Sequence, residues 1–378
     1  MSGIYFHIPF CKSRCAYCAF YSTADKKNAS LKDRYADALC KEIETRYPLE
    51  KHDIPQTLYI GGGTPSQLNI EQLDKIIRHI PNLDSMKEIT IECNPDDITK
   101  DYALGLKRIG FNRISMGVQT FNDSLLHFLN RRHTSEKVFE AIDILHDVGI
   151  DNISTDLIYG LPGQSVSDID SDIQKLITTD ITHISCYCLS YEEGTPLWRR
   201  LQNKEITETD DDTEARMYNM IMERLSQAGF EHYEISNFAK TGYRSQHNSS
   251  YWDGSHYIGI GAGAHSYDGS KRSWNICDIA RYIRHFEEQD DSNIVEFEML
   301  TDTDRYNELV MTRLRTSDGL PDNIIPQKFA PYFHSQIQQF IDTGDIIVLD
   351  GVSKEKIYRL SKKALFVSDS IISSLFMA

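Results

Sequence analysis

Cys11, Cys15 and Cys18 put three thiols inside the eight residues Cys11-Lys12-Ser13-Arg14-Cys15-Ala16-Tyr17-Cys18. No amphipathic period accounts for them, and Pro9 just upstream keeps the stretch out of regular structure. Thiolates are ligands for soft metals. Three of them can hold three irons of a [4Fe–4S] cluster and leave the fourth iron open to another ligand. A structural zinc ion would ask for a fourth nearby Cys or His, and His7 is the local candidate. Either reading makes this loop a metal site.

Other residues with binding chemistry fall where apolar runs end. Gly61-Gly62-Gly63-Thr64-Pro65 closes the run Thr57–Ile60, and glycine lets a backbone approach a ligand closely, although a tight turn uses the same residues. Glu92 closes Glu88–Glu92 with a carboxylate able to accept hydrogen bonds from a ribose. Gln119 follows Arg113–Val118, and Arg131 stands in Leu129-Asn130-Arg131-Arg132-His133. Asp156 interrupts the apolar run Asn152–Ile158, where a carboxylate needs a polar partner and so faces a site. His247-Asn248-Ser249-Ser250-Tyr251-Trp252 sets an imidazole beside two aromatic rings, which alone reads more often as an aromatic turn than as a cofactor site. Cys186 and Cys188 flank Tyr187 in a strand and share a face, within reach of a barrel interior. Cys40 and Cys277 read as small buried side chains.

These residues need elements to position them. Strands are expected at Ile4–Ile8, Thr57–Ile60, Glu88–Glu92, Arg113–Val118, Asn152–Ile158 and His183–Leu189. Helices lie between them. In Leu31–Tyr47 the residues Leu31, Tyr35, Leu39 and Ile43 share one face; Thr99–Gly110 repeats the pattern, and so does Ser135–Gly149, with Ser135 as N-cap. Strand–helix units in series imply a parallel sheet with right-handed crossovers, as a partial barrel or a doubly wound sheet. After Leu197 the rhythm changes: an acidic Thr-rich stretch, a helix Glu214–Ala228, a strand Glu231–Ala239 and an aromatic, Gly-rich segment up to Tyr267. The tail combines helices Thr303–Leu314 and Phe333–Asp342 with a hairpin, Ile346–Leu349 and Ile357–Leu360, turning at Asp350-Gly351.

The 378 residues are 40% hydrophobic and 25% charged, a globular composition. No apolar window of about twenty residues predicts a membrane span, and no basic segment ahead of Ile4 suggests a signal peptide. A net charge of −16 argues against nucleic acid as the partner. Eight cysteines, three of them clustered, fit metal chemistry in a reducing, cytoplasmic setting.

The triplet, with an aromatic before its last cysteine, resembles the signature of the radical S-adenosylmethionine (SAM) superfamily. Tyr5–Cys11, the glycine run, Ile91-Glu92-Cys93-Asn94-Pro95, Gly117-Val118-Gln119, Asp156–Pro162 and Gly194-Thr195-Pro196 together resemble its oxygen-independent coproporphyrinogen III oxidase-like branch. The resemblance implies an α/β chain with a partial (β/α)6 barrel over residues 1–204. A connecting α+β segment over 205–300 would follow, then a winged-helix-like module over 301–378. It implies a [4Fe–4S] cluster on Cys11, Cys15 and Cys18, with SAM held near it by Tyr5, Gly62 and Glu92. A second SAM position would be lined by Tyr17, Gly63, Thr64, Gln119, Arg131 and Asp156. The branch holds both oxidases and HemW-type heme chaperones. Oxidases carry a further cysteine two residues after the third, where this chain has Phe20, and an N-terminal extension that the four residues before Tyr5 do not supply. His247, Asn248, Tyr251 and Trp252 match the H-N-x-x-Y-W motif that the chaperones associate with heme. The chain is therefore expected to bind heme and pass it to apoproteins, with an electron donor for the cluster and peripheral membrane contact allowed. Oxidative decarboxylation of coproporphyrinogen III, or another radical SAM reaction, is the alternative.

Overall fold

Six segments rich in β-branched and aliphatic residues form the strands β1 (Gly3–Ile8), β2 (Thr57–Gly62), β3 (Glu88–Cys93), β4 (Arg113–Gln119), β5 (Ile153–Tyr159) and β6 (His183–Cys188). The computed structural model describes residues 3–24, 29–46, 54–288, 293–351 and 355–377. All six strands are parallel and lie side by side in chain order. A doubly wound sheet would reverse its order partway; this one does not, and it is the partial (β/α)6 arrangement. Helices α1 (Ala29–Arg46), α2 (Ile70–Arg78), α3 (Lys100–Arg108), α4 (Asp123–Phe128), α5 (Ser135–Asp147) and α6 (Val166–Ile177) make the crossovers.

Each strand alternates its two faces. Ile4, Phe6, Ile8, Leu58, Ile60, Ile91, Ile114, Met116, Leu157 and Ile184 are buried in one apolar core with the helices. The opposite face carries polar residues: Tyr59, Glu92, Arg113, Ser115, Ser154, Asp156 and Ser185 line a cavity. A closed barrel fills that side with branched aliphatics, so polar alternation here means an open lumen.

Helix ends follow their capping residues. Thr99 accepts from the Tyr102 N–H at the start of α3, and Ser165 and Asp168 form a capping box on α6. The expected cap Ser135 is instead the first residue of α5. Thr134 holds the extended cap conformation, and the Ser135 N–H donates to Asp123 Oδ1 at 2.7 Å.

α7 (Pro196–Gln202) and α8 (Asp211–Gln227) follow β6. The single strand expected at Glu231–Ala239 is a hairpin, β7 (Glu231–Glu234) and β8 (Asn237–Ala239), because Ile235 and Ser236 turn the chain and β8 pairs antiparallel with both β7 and β6. Beyond it lie α9 (Gln246–Trp252), β9 (Tyr257–Ile260), β10 (His265–Tyr267), β11 (Lys271–Asn275), α10 (Ile279–Glu288) and β12 (Val295–Met299). β9 pairs parallel to β1, so these strands extend the barrel sheet on its other side to twelve strands in all. A second core, from Tyr306 to Leu375, joins α11 (Asp302–Leu314), α12 (Ala330–Asp342), α13 (Ser368–Ser373) and the strands β13 (Leu320–Pro321), β14 (Ile346–Asp350) and β15 (Lys356–Leu360). No described helix is long and apolar enough to cross a membrane.

Candidate functional site

The cysteine loop leaves the C-terminal end of β1 and is tied to its neighbours by backbone hydrogen bonds. The Ala16 N–H donates to Leu129 O and the Leu197 N–H to Ala16 O, each at 2.9 Å, while the Thr23 N–H reaches Pro9 O at 2.7 Å. Ala16 packs with Leu129, Ile158, Leu161, Leu189 and Leu197 beneath the loop. The thiols of Cys11, Cys15 and Cys18 all line one cavity. Burial pushes the Cys18 thiol up. His7 is no fourth zinc ligand, since its Nδ1 meets the Tyr5 hydroxyl at 3.0 Å and its Nε2 meets Tyr21 O at 2.9 Å. Among the described residues no group of three or more His, Cys, Asp or Glu is arranged to hold a single metal ion. With both nitrogens engaged, His7 does not complete a zinc site with the three thiols.

Strand ends deliver the remaining groups to the same cavity. Gly62, Gly63, Thr64, Glu92, Gln119, Arg131 and Asp156 line it with the thiols and Tyr17. Gly62 has φ +114, and a Cβ at Gly63 would lie 3.0 Å from Cys11 Sγ. Glycine therefore serves both the backbone turn and the space beside that sulfur. The Thr64 hydroxyl donates to Cys11 Sγ at 3.5 Å and Arg131 Nη1 to Cys15 Sγ at 3.2 Å. Arg131 Nη2 holds Asn94 Oδ1 at 2.7 Å and Gly117 O at 2.6 Å. Two buried atoms there, Gln119 Oε1 and Arg131 Nε, have no hydrogen-bond partner among the described residues. A buried polar atom without a partner is costly and points to a missing ligand. Three thiols on a cationic rim, a Cβ-free cradle and unpaired polar atoms fit an iron–sulfur cluster with a polar co-ligand.

Glu92 is already engaged, accepting from the Tyr59 hydroxyl at 2.7 Å and from the Gly62 N–H at 3.2 Å. Burial nevertheless lifts its carboxyl to about 7, and the same cause lifts Asp156 to about 6 against a Ser185 hydrogen bond and the Arg113 and Arg131 charges. Tyr5 lies one layer deeper, with its ring stacked on Tyr59 and its hydroxyl on His7. It supports the cavity from below and does not line it. Cys186 is buried in the core under the helices, so its expected approach to the barrel interior is corrected, whereas Cys188 at the end of β6 lines the cavity with Ser185 and Tyr187.

The His247–Trp252 stretch is α9, which plugs the N-terminal end of the barrel. Glu88 accepts from the N–H groups of Gln246 and His247 at 2.8 and 3.0 Å. His247 is fully buried, with Nδ1 on the Thr57 hydroxyl and Nε2 on the Tyr251 hydroxyl, both at 2.9 Å, and its ring stacks on Tyr59. Burial, then the Arg113 charge, lowers its basicity to about 3. Neither ring nitrogen is free for iron. The heme role that the motif match implies for His247 does not extend to this imidazole as placed, which is a strut between a strand and a helix. Asn248 turns into the lumen, and Tyr251 and Trp252 line a separate cavity of ≈ 430 Å³ against α11.

The inward residues Arg113, Ser115, Ser154 and Ser185 went unpredicted. Their signal lay in the strands themselves, since a parallel strand buried on both faces reads as a near-continuous apolar run, and these alternate.

A radical SAM superfamily model matches residues 5–176. A protein named heme chaperone HemW from Lactococcus lactis subsp. lactis (strain IL1403) is 37% identical over 286 residues, spanning 75% of this chain and 74% of that one. The protein of the same name from Bacillus subtilis (strain 168) is 38% identical over 289 residues, with 75% of each chain covered. Among solved structures, coproporphyrinogen III oxidase (HemN) from Escherichia coli, described as a radical SAM enzyme, superposes with a TM-score of 0.83 at 24% identity over 100% of this chain and 90% of that one. That likeness establishes the fold.

Proposed function

The chain belongs to the HemW-type branch of the radical SAM superfamily, and from that premise we propose a heme chaperone that binds heme and delivers it to apoproteins. The observation that carries this reading is the 37% and 38% identity to proteins so named over three-quarters of the chain. Cys11, Cys15 and Cys18 would hold a [4Fe–4S] cluster, and Gly62, Gly63, Thr64, Glu92, Gln119, Arg131 and Asp156 would hold SAM beside it. When bound, that pair supplies one-electron chemistry at the barrel mouth. The chain's own residues prepare the place: Arg131 and Thr64 offset thiolate charge, Gly63 leaves room beside Cys11, and Glu92 and Asp156 offer acceptors to hydroxyls or an ammonium. An electron donor and a reducing, cytoplasmic setting belong to the same reading.

Heme is cargo, and we place it outside the barrel. The cavity between α9 and α11 is walled by Tyr251, Trp252, Tyr257 and Tyr267, with Arg272 beside them. Aromatic walls suit a porphyrin face, and arginine suits its propionates. Trp252 Nε1 is buried without a hydrogen-bond partner among the described residues, a donor awaiting an acceptor. Met311 and the Tyr267 phenol also line the cavity, and thioethers and phenolates both ligate heme iron.

The test is anaerobic purification, cluster reconstitution, and parallel assays of heme binding, heme transfer to an apoprotein and coproporphyrinogen III consumption. Heme bound and transferred with the porphyrinogen untouched is the expected result. Turnover of coproporphyrinogen III without retained heme would reverse the assignment.

A further inference from the structure

Below the mouth, the lumen continues as a cavity of ≈ 480 Å³ lined by Arg113, Ser154, Asp156, Ser185, Tyr187 and Asn248 among others. Arg113 opens β4 at the N-terminal end of the barrel and is 1% exposed, among the largest fully buried side chains. Its Nε and Nη1 have no hydrogen-bond partner among the described residues. Strand register sets it beside Thr90 of β3, whose hydroxyl is also buried and unpartnered. Among the described residues Arg113 makes no ion pair; the Glu92 carboxylate is taken by Tyr59 and Gly62, and Asp156 feels the Arg113 charge without pairing with it. A buried guanidinium is retained where it has an anion to hold. We propose that Arg113, with the hydroxyl and amide groups around it, is an anion site at the floor of the lumen that takes the carboxylate of a small polar ligand entering from the cluster end.

The surroundings select the ligand class. Glu92 and Asp156 share the cavity, so a dianion such as phosphate is repelled about twice as strongly as a single carboxylate. The hydroxyls of Ser154 and Ser185 and the Asn248 amide favour a body that is neutral or cationic and forms hydrogen bonds. The cavity shares Glu92, Gln119 and Asp156 with the residues that would hold SAM and Cys18 with the cluster loop, so at its upper end the proposal rests on that reading, while Arg113 marks the floor on the other side of α9 from the aromatic cavity.

The experiment titrates acetate, acetamide and inorganic phosphate into cluster-reconstituted protein by calorimetry, with melting temperature as a second readout. Acetate is expected to bind and raise the melting temperature, acetamide to do neither, and phosphate to bind at least about tenfold more weakly. Arg113→Met is expected to weaken acetate at least about tenfold, the scale of a charge-assisted hydrogen bond. Because that variant removes a group the fold surrounds, Asn248→Asp is the second arm. It keeps Arg113 and offers it a tethered carboxylate, so the melting temperature should rise and acetate binding should vanish. Equal responses to acetate and acetamide, phosphate binding as tightly as acetate, or unchanged acetate binding in both variants would overturn the proposal. Loss of acetate binding on adding SAM would do the same, by making the site part of the SAM position.

Discussion

Glu92 shows what one buried carboxyl does to binding. Its pKa near 7 is set mainly by burial, and only the ionised form accepts from ligand hydroxyls without a proton in the way. SAM affinity should therefore rise about tenfold between pH 6 and 8 in the native protein, as the ionised fraction does, and stay flat in Glu92→Gln. The linkage to folding runs the other way. The folded carboxyl is raised from 4.5 to about 7, so the ligand-free fold binds the extra proton and loses stability as pH climbs through that interval. Chemical denaturation at pH 5 and 8 checks this, and Glu92→Gln should show the smaller loss. At the thiols, Cys11→Ser, Cys15→Ser and Cys18→Ser should each abolish the broad cluster absorbance, since a hydroxyl is a poor iron ligand. Cys40→Ser should not, because that thiol sits in α1 against Lys75 O at 3.8 Å. Retained iron and sulfide in all three cluster variants would sink the assignment.

α9 is a single short helix that faces three ways. His247 braces β2 through Thr57, Asn248 enters the lumen, and Tyr251 and Trp252 wall the outer cavity. His247→Ala removes a buried ring and strands two partners, so it should cost about 2–4 kcal/mol in denaturant unfolding, with the heme absorption band unmoved. Met311→Ala or Tyr267→Phe should move that band if either side chain reaches the iron. A shifted band in His247→Ala alone would return the imidazole to the iron. The sequence marked this stretch as an aromatic turn or a cofactor site; it is a helix, and its residue types did not reveal their division of labour. An imidazole beside aromatics reads the same whether it binds iron or joins a core, and only the partners of its two nitrogens decide. Strand positions were legible for the opposite reason: β-branched runs bounded by glycine and proline leave few alternatives. The turn at Ile235 and Ser236 carries neither residue, which is why β7 and β8 read as one strand.

Across the molecule, two cores meet at the aromatic cavity. Arg315 lies 5.5 Å over the Trp252 ring, Arg272 of β11 pairs with Glu308 of α11 at 2.8 Å, and Arg313 of α11 donates to Asp253 O at 2.9 Å. Phe333 is fully exposed to none of this, being buried in the second core. Phe333→Ala should therefore cost about 3–5 kcal/mol there, weaken heme binding through the shifted α11, and leave cluster absorbance intact. Equal loss of cluster and heme would mean that the two cores act as one.

The polar lining of the lumen has a mechanical consequence. Compression unfolds proteins by eliminating internal voids, and the volume change scales with the empty space removed. A cavity of ≈ 480 Å³ that sets serines, carboxylates, an arginine and an asparagine beside Phe20, Tyr59, Ile158 and Leu189 offers water enough partners to fill its polar side. High hydrostatic pressure should find little to collapse inside the barrel, and the molecule's compressibility then resides in the apolar layer between strands and helices.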